Sequence, residues 1–190
     1  MIRLFVAIDF PEEIKEQLLQ IRIGLPGARW SEREQMHLTL RFLGELDGAN
    51  FKEVANLLSE IDFKKFTISL SGVGTFESRG MIKVIWVGVK RSDELISLQK
   101  KIERKLVQFG LEGETRKYIP HLTLARINDV DAAQAGLSAK GLSSRVGSLV
   151  EEYNLYKSDP IIVDQIHLYS SKLTSKKSIY RKEFSYRCLQ

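Results

Sequence analysis

The tetrapeptide His37-Leu38-Thr39-Leu40 recurs unchanged as His121-Leu122-Thr123-Leu124, and everything else in the chain takes its place around that repeat. Two of only three histidines stand two residues before two of only six threonines. On a strand successive side chains alternate between faces, so each His/Thr pair shares one face while the leucines take the other. One such motif fits an ordinary strand with a wet polar face. Two copies at matching places point to two lobes that each present a histidine and a threonine.

The flanking elements repeat as well. Arg3 to Ile8 reads as a strand. Pro11 to Arg22 reads as a helix, with proline at its first position, acids in its first turn, and Ile14, Leu18 and Ile21 at helical spacing. Met36 to Leu43 is a strand, Asn50 to Glu60 a helix and Phe66 to Leu70 a strand. The same order then runs again: a strand at Ile82 to Val89, a helix capped by Ser92 and stopped by Gly110, a strand at Tyr118 to Arg126, a small-residue helix near Asp131 to Lys140, and a strand at Ile161 to Tyr169. An offset of about 80 residues is an internal duplication, not a short-period solenoid. Alternating strands and helices also suit a doubly wound parallel sheet, but Phe66 to Val89 and Ile161 to Tyr186 carry consecutive strands joined through Gly/Ser/Lys-rich turns, which favours antiparallel pairing. The expected fold is α+β: one bilobal domain whose lobes face one another. Residues 1–80 carry the first motif, 81–170 the second, and 171–190 form a basic C-terminal hairpin.

The 190 residues carry 29 Lys and Arg against 24 Asp and Glu, a formal net charge of +5. Met1 to Ser170 is neutral, with 23 of each sign, so the excess lies in Ser171 to Gln190, where six basic residues face the single acid Glu183. The expectation is that this tail borders the site and steers an anionic, phosphate-bearing partner, with Lys176 and Lys177 as the residues to reverse. The opening MIRLFVAIDFPEE has an apolar run too short for a signal segment, and the longest apolar stretch, Val84 to Val89, is strand-sized, so neither export nor a membrane span is expected. The lone Cys188 and three histidines give no zinc-site spacing. A cytoplasmic, monomeric protein without metal or other cofactor is the economical reading. There is no GxxxxGK[ST] and no GxGxxG after a strand, which leaves the common nucleotide folds without support.

The doubled motif supplies acid/base chemistry. Histidine titrates near neutral pH, so across a cleft one imidazole serves as base while the other, protonated, serves as acid. The threonine hydroxyls donate hydrogen bonds to an anion between the rings. That suits phosphoryl chemistry, where charge develops on non-bridging oxygens.

HLTLRFLG and PHLTLAR, together with the opening RLFVAIDFP and the closing LYSSKL, resemble the two-histidine phosphoesterase superfamily, and within it the 2′-5′ RNA ligase-like branch of RNA 2′,3′-cyclic phosphodiesterases. The resemblance spans nearly the whole chain. It implies two antiparallel sheets facing a central cleft, with helices outside. It implies that His121 is the general base that activates water, that His37 is the general acid that protonates the departing ribose 3′-oxygen, and that Thr39 and Thr123 hold the phosphate. The product would be a 2′-phosphate on RNA, with tRNA fragments and cyclic nucleotides among the candidate substrates. Reversible 2′-5′ joining of tRNA halves uses the same pair. An RNA-end-binding module with little turnover is the alternative of a different class.

Phe42 and Arg126, each five residues after its histidine, fall at the resemblance's substrate contacts, the aromatic one through base stacking. Strict alternation instead turns both toward the leucine face, where an arginine is costly. The second strand is therefore expected to end or bend after Leu124, while Phe42 fits a core place as well as a stacking surface. Arg41 stands where the resemblance leads one to expect a small residue, shares the His/Thr face of a regular strand and is a further phosphate-contact candidate. His167 reads as a solvent-side strand residue, Trp30 and Trp86 as core, and Cys188 as an inert thiol.

Overall fold

The computed structural model describes residues 1–174 and 178–189. Its elements, in chain order, are β1 (Ile2–Asp9), α1 (Glu12–Leu19), β2 (Ala28–Trp30), a 3-10 turn (Arg33–Gln35), β3 (His37–Leu46), α2 (Gly48–Ser59), β4 (Phe66–Ile68), β5 (Leu70–Ser78), β6 (Met81–Val89), α3 (Asp93–Phe109), β7 (His121–Ile127), α4 (Asp129–Gln134), α5 (Ala139–Glu152), β8 (Ile161–Val163), β9 (Gln165–Leu173) and β10 (Ser178–Arg187). The fold is α+β, with antiparallel pairing throughout the named strands.

Two antiparallel half-sheets carry the two motifs. One runs β10-β9-β1-β3; the other runs β7-β6-β5, with β2 paired along β7. They are continuous through one residue pair, Leu38 with Leu122, which are the same residue of the two motifs. A local two-fold axis therefore passes between the motifs. Strands cross that axis: β5, last in the first repeat, pairs with β6, first in the second, while β9 pairs with β1. The short strands β4 and β8 close a separate two-stranded ladder across the same axis. Each half-sheet thus takes strands from both repeats, so neither repeat completes a sheet without the other.

The helices form where the periodicity places them. Ser92 caps α3 by accepting from the Leu95 N–H at 3.2 Å, and Gly110 ends it at a φ of 109°, a left-handed stop that glycine adopts without strain. Leu95, Leu98, Ile102 and Leu106 are buried along one face of that helix. They pack into one core with Leu4, Val6, Ile8, Leu38, Leu40, Leu122 and Leu124, each worth roughly 1.5–3 kcal/mol of burial. The expected helix near Asp131 to Lys140 is two helices. Gly136, at a φ of 78°, breaks the chain after α4, and Ser138 caps α5 by accepting from the Gly141 N–H at 3.1 Å. Two glycines and four serines between Ser138 and Ser148 hid α5 from a propensity reading; its burial of Leu142, Val146 and Leu149 holds it in place. Tyr118 to Pro120 lie outside β7, and strand structure extends past the expected ends of β3 and β9. The tail supplies β10 as the outer partner of β9. Lys176 and Lys177 lie outside the described residues.

Candidate active site

Each motif opens its strand. The burial sequences of His37–Leu43 and His121–Ile127 are identical: half-buried, buried, half-buried, buried, buried, exposed, buried. The doubled buried step is a register shift. Ala7 pairs with Thr39 and Val6 with Arg41, leaving Leu40 unmatched; Trp86 pairs with Thr123 and Ile85 with Ala125, leaving Leu124 unmatched. A bulge puts two consecutive residues on one side and moves the rest by one. Phe42 and Arg126 consequently emerge exposed on the His/Thr face, Phe42 at 55%. The second strand does not end after Leu124. It shifts register there and continues to Ile127.

The same shift sends Arg41 the other way. Its side chain is 9% exposed and ion-pairs with Glu103 of α3, and its guanidinium also donates to the backbone carbonyls of Phe42, at 2.7 Å, and Glu112. Arg41 therefore does not contact phosphate. It anchors the loop between α3 and β7 to the back of β3, since a buried guanidinium needs such partners.

Around the axis the antiparallel register, carried one residue either way from Leu38 and Leu122, sets His37 toward Thr123 and Thr39 toward His121. Both imidazoles are tied to the carbonyl two residues before them. His121 Nδ1 donates to Ile119 O at 2.7 Å, and the His37 ring bonds the Gln35 backbone. With Nδ1 of His121 engaged, Nε2 is the free nitrogen of the neutral ring. Further hydrogen bonds hold the strands: Ser31 Oγ donates to Thr123 O at 2.8 Å, and the Tyr118 hydroxyl to Thr39 O at 3.1 Å.

Aromatic rings floor the cleft on both sides. His37 lies 4.7 Å from Phe5, 6.0 Å from Tyr169 and, edge-on, 5.1 Å from Tyr180, centroid to centroid. His121 lies 4.8 Å from Phe76 and 6.3 Å from Trp86. The Trp86 ring lies over Gly74, where any Cβ would come within 2.5 Å of the indole. Trp86 is therefore part of the cleft floor and not of the main core. Burial in this apolar setting lowers both histidines: His37 to about 4, opposed most by Asp9, and His121 below its usual value, with Arg126 adding to the effect. Burial thus favours the neutral form of both rings at pH 7.

His167 is not solvent-side. It is 2% exposed, its Nδ1 is 2.8 Å from Ser185 Oγ, and burial pushes its pKa down to about 4. Phe5, Tyr169, Tyr180 and Asp9 are site neighbours that motif reading missed. The signal was present in β1, where Phe5, Ala7 and Asp9 alternate against the core residues Leu4, Val6 and Ile8. A surface groove of about 700 Å³ between Phe63–Thr67 and the start of α3 is lined by Lys64, Lys101, Asp93 and Glu94 and includes neither motif. Among the described residues no helix is long and apolar enough to cross a membrane.

A family model described as LigT-like phosphoesterase matches residues 8–86 and again 87–180, in step with the duplication. The chain is 36% identical over 180 residues to an RNA 2′,3′-cyclic phosphodiesterase of Methanocaldococcus jannaschii, covering 94% of this chain and 96% of that one. It is 32% identical over 185 residues to the enzyme of the same name from Thermotoga maritima, covering 94% and 91%. Among solved structures, Escherichia coli LigT complexed with 3′-AMP superposes with a TM-score of 0.75 at 26% identity, covering 100% of this chain and 99% of that one.

Proposed function

The chain belongs to the LigT-like phosphoesterase family, and on that premise we propose that it is an RNA 2′,3′-cyclic phosphodiesterase, a hydrolase that opens the cyclic ester to leave a 2′-phosphate. The observation that carries this reading is the meeting of two identically supported histidines at the one residue pair joining the half-sheets.

The chemistry follows from that placement. Water attacks phosphorus, and His121 Nε2 takes its proton, because the hydrogen bond from Nδ1 to Ile119 leaves Nε2 as the acceptor. The P–O3′ bond breaks on the opposite side, and His37 delivers a proton to the departing oxygen. Burial alone holds His37 neutral at pH 7. The substrate's phosphodiester anion supplies the negative charge that lets this ring accept its proton, so the acid forms in the presence of what it acts on. Thr39 and Thr123 donate to the non-bridging oxygens, and Arg126 offsets the charge that develops there. Phe42, exposed at the cleft, gives a nucleobase a face to stack on.

Both motifs come from one chain, which supports a monomer as the working unit. On this reading it acts on RNA ends, tRNA fragments among them, in the cytoplasm. The test is incubation of a 2′,3′-cyclic-phosphate oligonucleotide with the wild type, His37→Ala and His121→Ala, in EDTA, with identification of the end formed. A 2′-phosphate made by the wild type and by neither variant is expected. A bound but intact cyclic phosphate in the wild type would reduce the protein to an end-binding module.

A further inference from the structure

The two histidines share their backbone support and differ in what lies across the neighbouring strand. Asp9 pairs with His37 between β1 and β3, and Gly88 occupies the equivalent position, paired with His121 between β6 and β7. We propose that Asp9 is a positioning residue: its carboxylate, on the His37 side alone, assigns the general-acid role to His37 and leaves His121 the base. This inference rests on the phosphodiesterase reading above.

The Asp9 carboxylate is held firmly. Oδ1 accepts from the Phe10 N–H at 2.9 Å and from Lys15 Nζ at 2.9 Å, and Oδ2 accepts from Lys182 Nζ at 3.0 Å. Lys15 is itself nearly buried and also pairs with Glu12 at 3.0 Å. These contacts keep Asp9 ionised, with its pKa below the usual carboxylate value although burial works against it. Among the described residues the charged and titratable groups facing His37 are Asp9 from β1, Arg126 and His121 from β7, Tyr169 from β9 and Tyr180 from β10, while Lys182 of β10 pairs with Asp9 and lies over the Tyr169 ring. Asp9 is the acid in that set. Around His121 the facing charge is Arg126, and the residue opposite has no side chain. An imidazolium is favoured beside a carboxylate and disfavoured beside a guanidinium. The asymmetry therefore directs the proton to His37 once a phosphate anion has raised both rings.

Lys182 makes the inference testable in both directions, because it partly neutralises Asp9 from a strand at the edge of the half-sheet. The experiment is a proton NMR titration of the three histidine rings at saturating inorganic phosphate, with resonances assigned by single His→Gln variants. Asp9→Asn should lower the titration of His37 by about one pH unit, a tenfold loss of the protonated fraction, and move His121 by less than half as much. Lys182→Gln should raise His37. The alkaline limb of kcat on 2′,3′-cyclic AMP, which reports the acid of the enzyme–substrate complex, should shift in the same two directions. A His37 titration unchanged in Asp9→Asn, or a His121 shift as large as that of His37, overturns the assignment. If Asp9→Asn does not fold, an unmoved His37 in Lys182→Gln overturns it equally. Wild-type protein that titrates as stated but leaves the cyclic phosphate intact defeats the phosphodiesterase reading and not the electrostatic asymmetry.

Discussion

The His37 side and the His121 side of the cleft share strand order, bulge position and the carbonyl that orients each ring, and they part at the residues that surround those rings. Phe42 on one side answers to Arg126 on the other, Asp9 to Gly88, Ala7 to Trp86, and His167 to Gly74. Large and small residues trade places across the axis: Trp86 spreads over Gly74 in one half-sheet, while His167 fills the space beside Ala7 in the other. The duplication supplies two equivalent rigid supports, and the substitutions on them turn a symmetric frame into one side that bears a carboxylate and an exposed aromatic ring and another that bears a cation.

The largest effect should come from the shared part. His37→Ala and His121→Ala should each lower kcat on a cyclic-phosphate oligonucleotide by about 10²–10⁴, and the double variant should fall little further, because the two rings act as a unit. Independent, multiplicative losses measured by single-turnover cleavage would show that the sides do not work together.

Arg41 marks a difference without catalytic consequence. Its counterpart is Ala125, and its partner Glu103 is largely buried. Arg41→Ala should cost about 3 kcal/mol in urea unfolding by stranding that carboxylate, while kcat of the folded protein stays near wild type. A stable variant with depressed kcat would return Arg41 to the phosphate site.

His167, which the other half-sheet replaces with Gly74, should set a pH dependence of stability. Its folded pKa of about 4 lies below the unfolded value, so between about pH 6.5 and 4 the unfolded chain binds the extra proton and stability falls as pH falls. That histidine alone accounts for about 3 kcal/mol across the window. His37 and His121 shift in the same direction. Urea midpoints at pH 7 and pH 4.5 should differ less in His167→Gln than in the wild type, and equal differences would contradict the burial of that ring.

The smallest effect sharpens the exposed pair. Phe42→Ala should weaken binding of an oligonucleotide by about 1–3 kcal/mol through lost stacking. Arg126→Ala should act mainly on kcat. Identical changes in KM and kcat from the two substitutions would erase the distinction between a base-binding and a phosphate-binding side.

The duplication, the four motif residues and the helices whose apolar faces repeat at 3.6-residue spacing are legible in the chain alone, because each is written in local order: a repeated tetrapeptide, a period, a cap. Ser92 and Gly110 mark the two ends of α3 in the local sequence. Strict alternation then failed after Leu40 and Leu124, since a bulge arises from pairing with a neighbouring strand and leaves no mark on the bulged strand's own pattern. Strand pairing sets what local order does not: Arg41 turns inward while Phe42 and Arg126 turn outward, His167 is buried, and β5 and β9 exchange between the repeats. Asp9 lies 28 positions before His37 and becomes its neighbour only when β1 pairs with β3. Side-chain period is a property of one strand, whereas the charge beside an imidazole is a property of two, and two strands meet only in the folded chain.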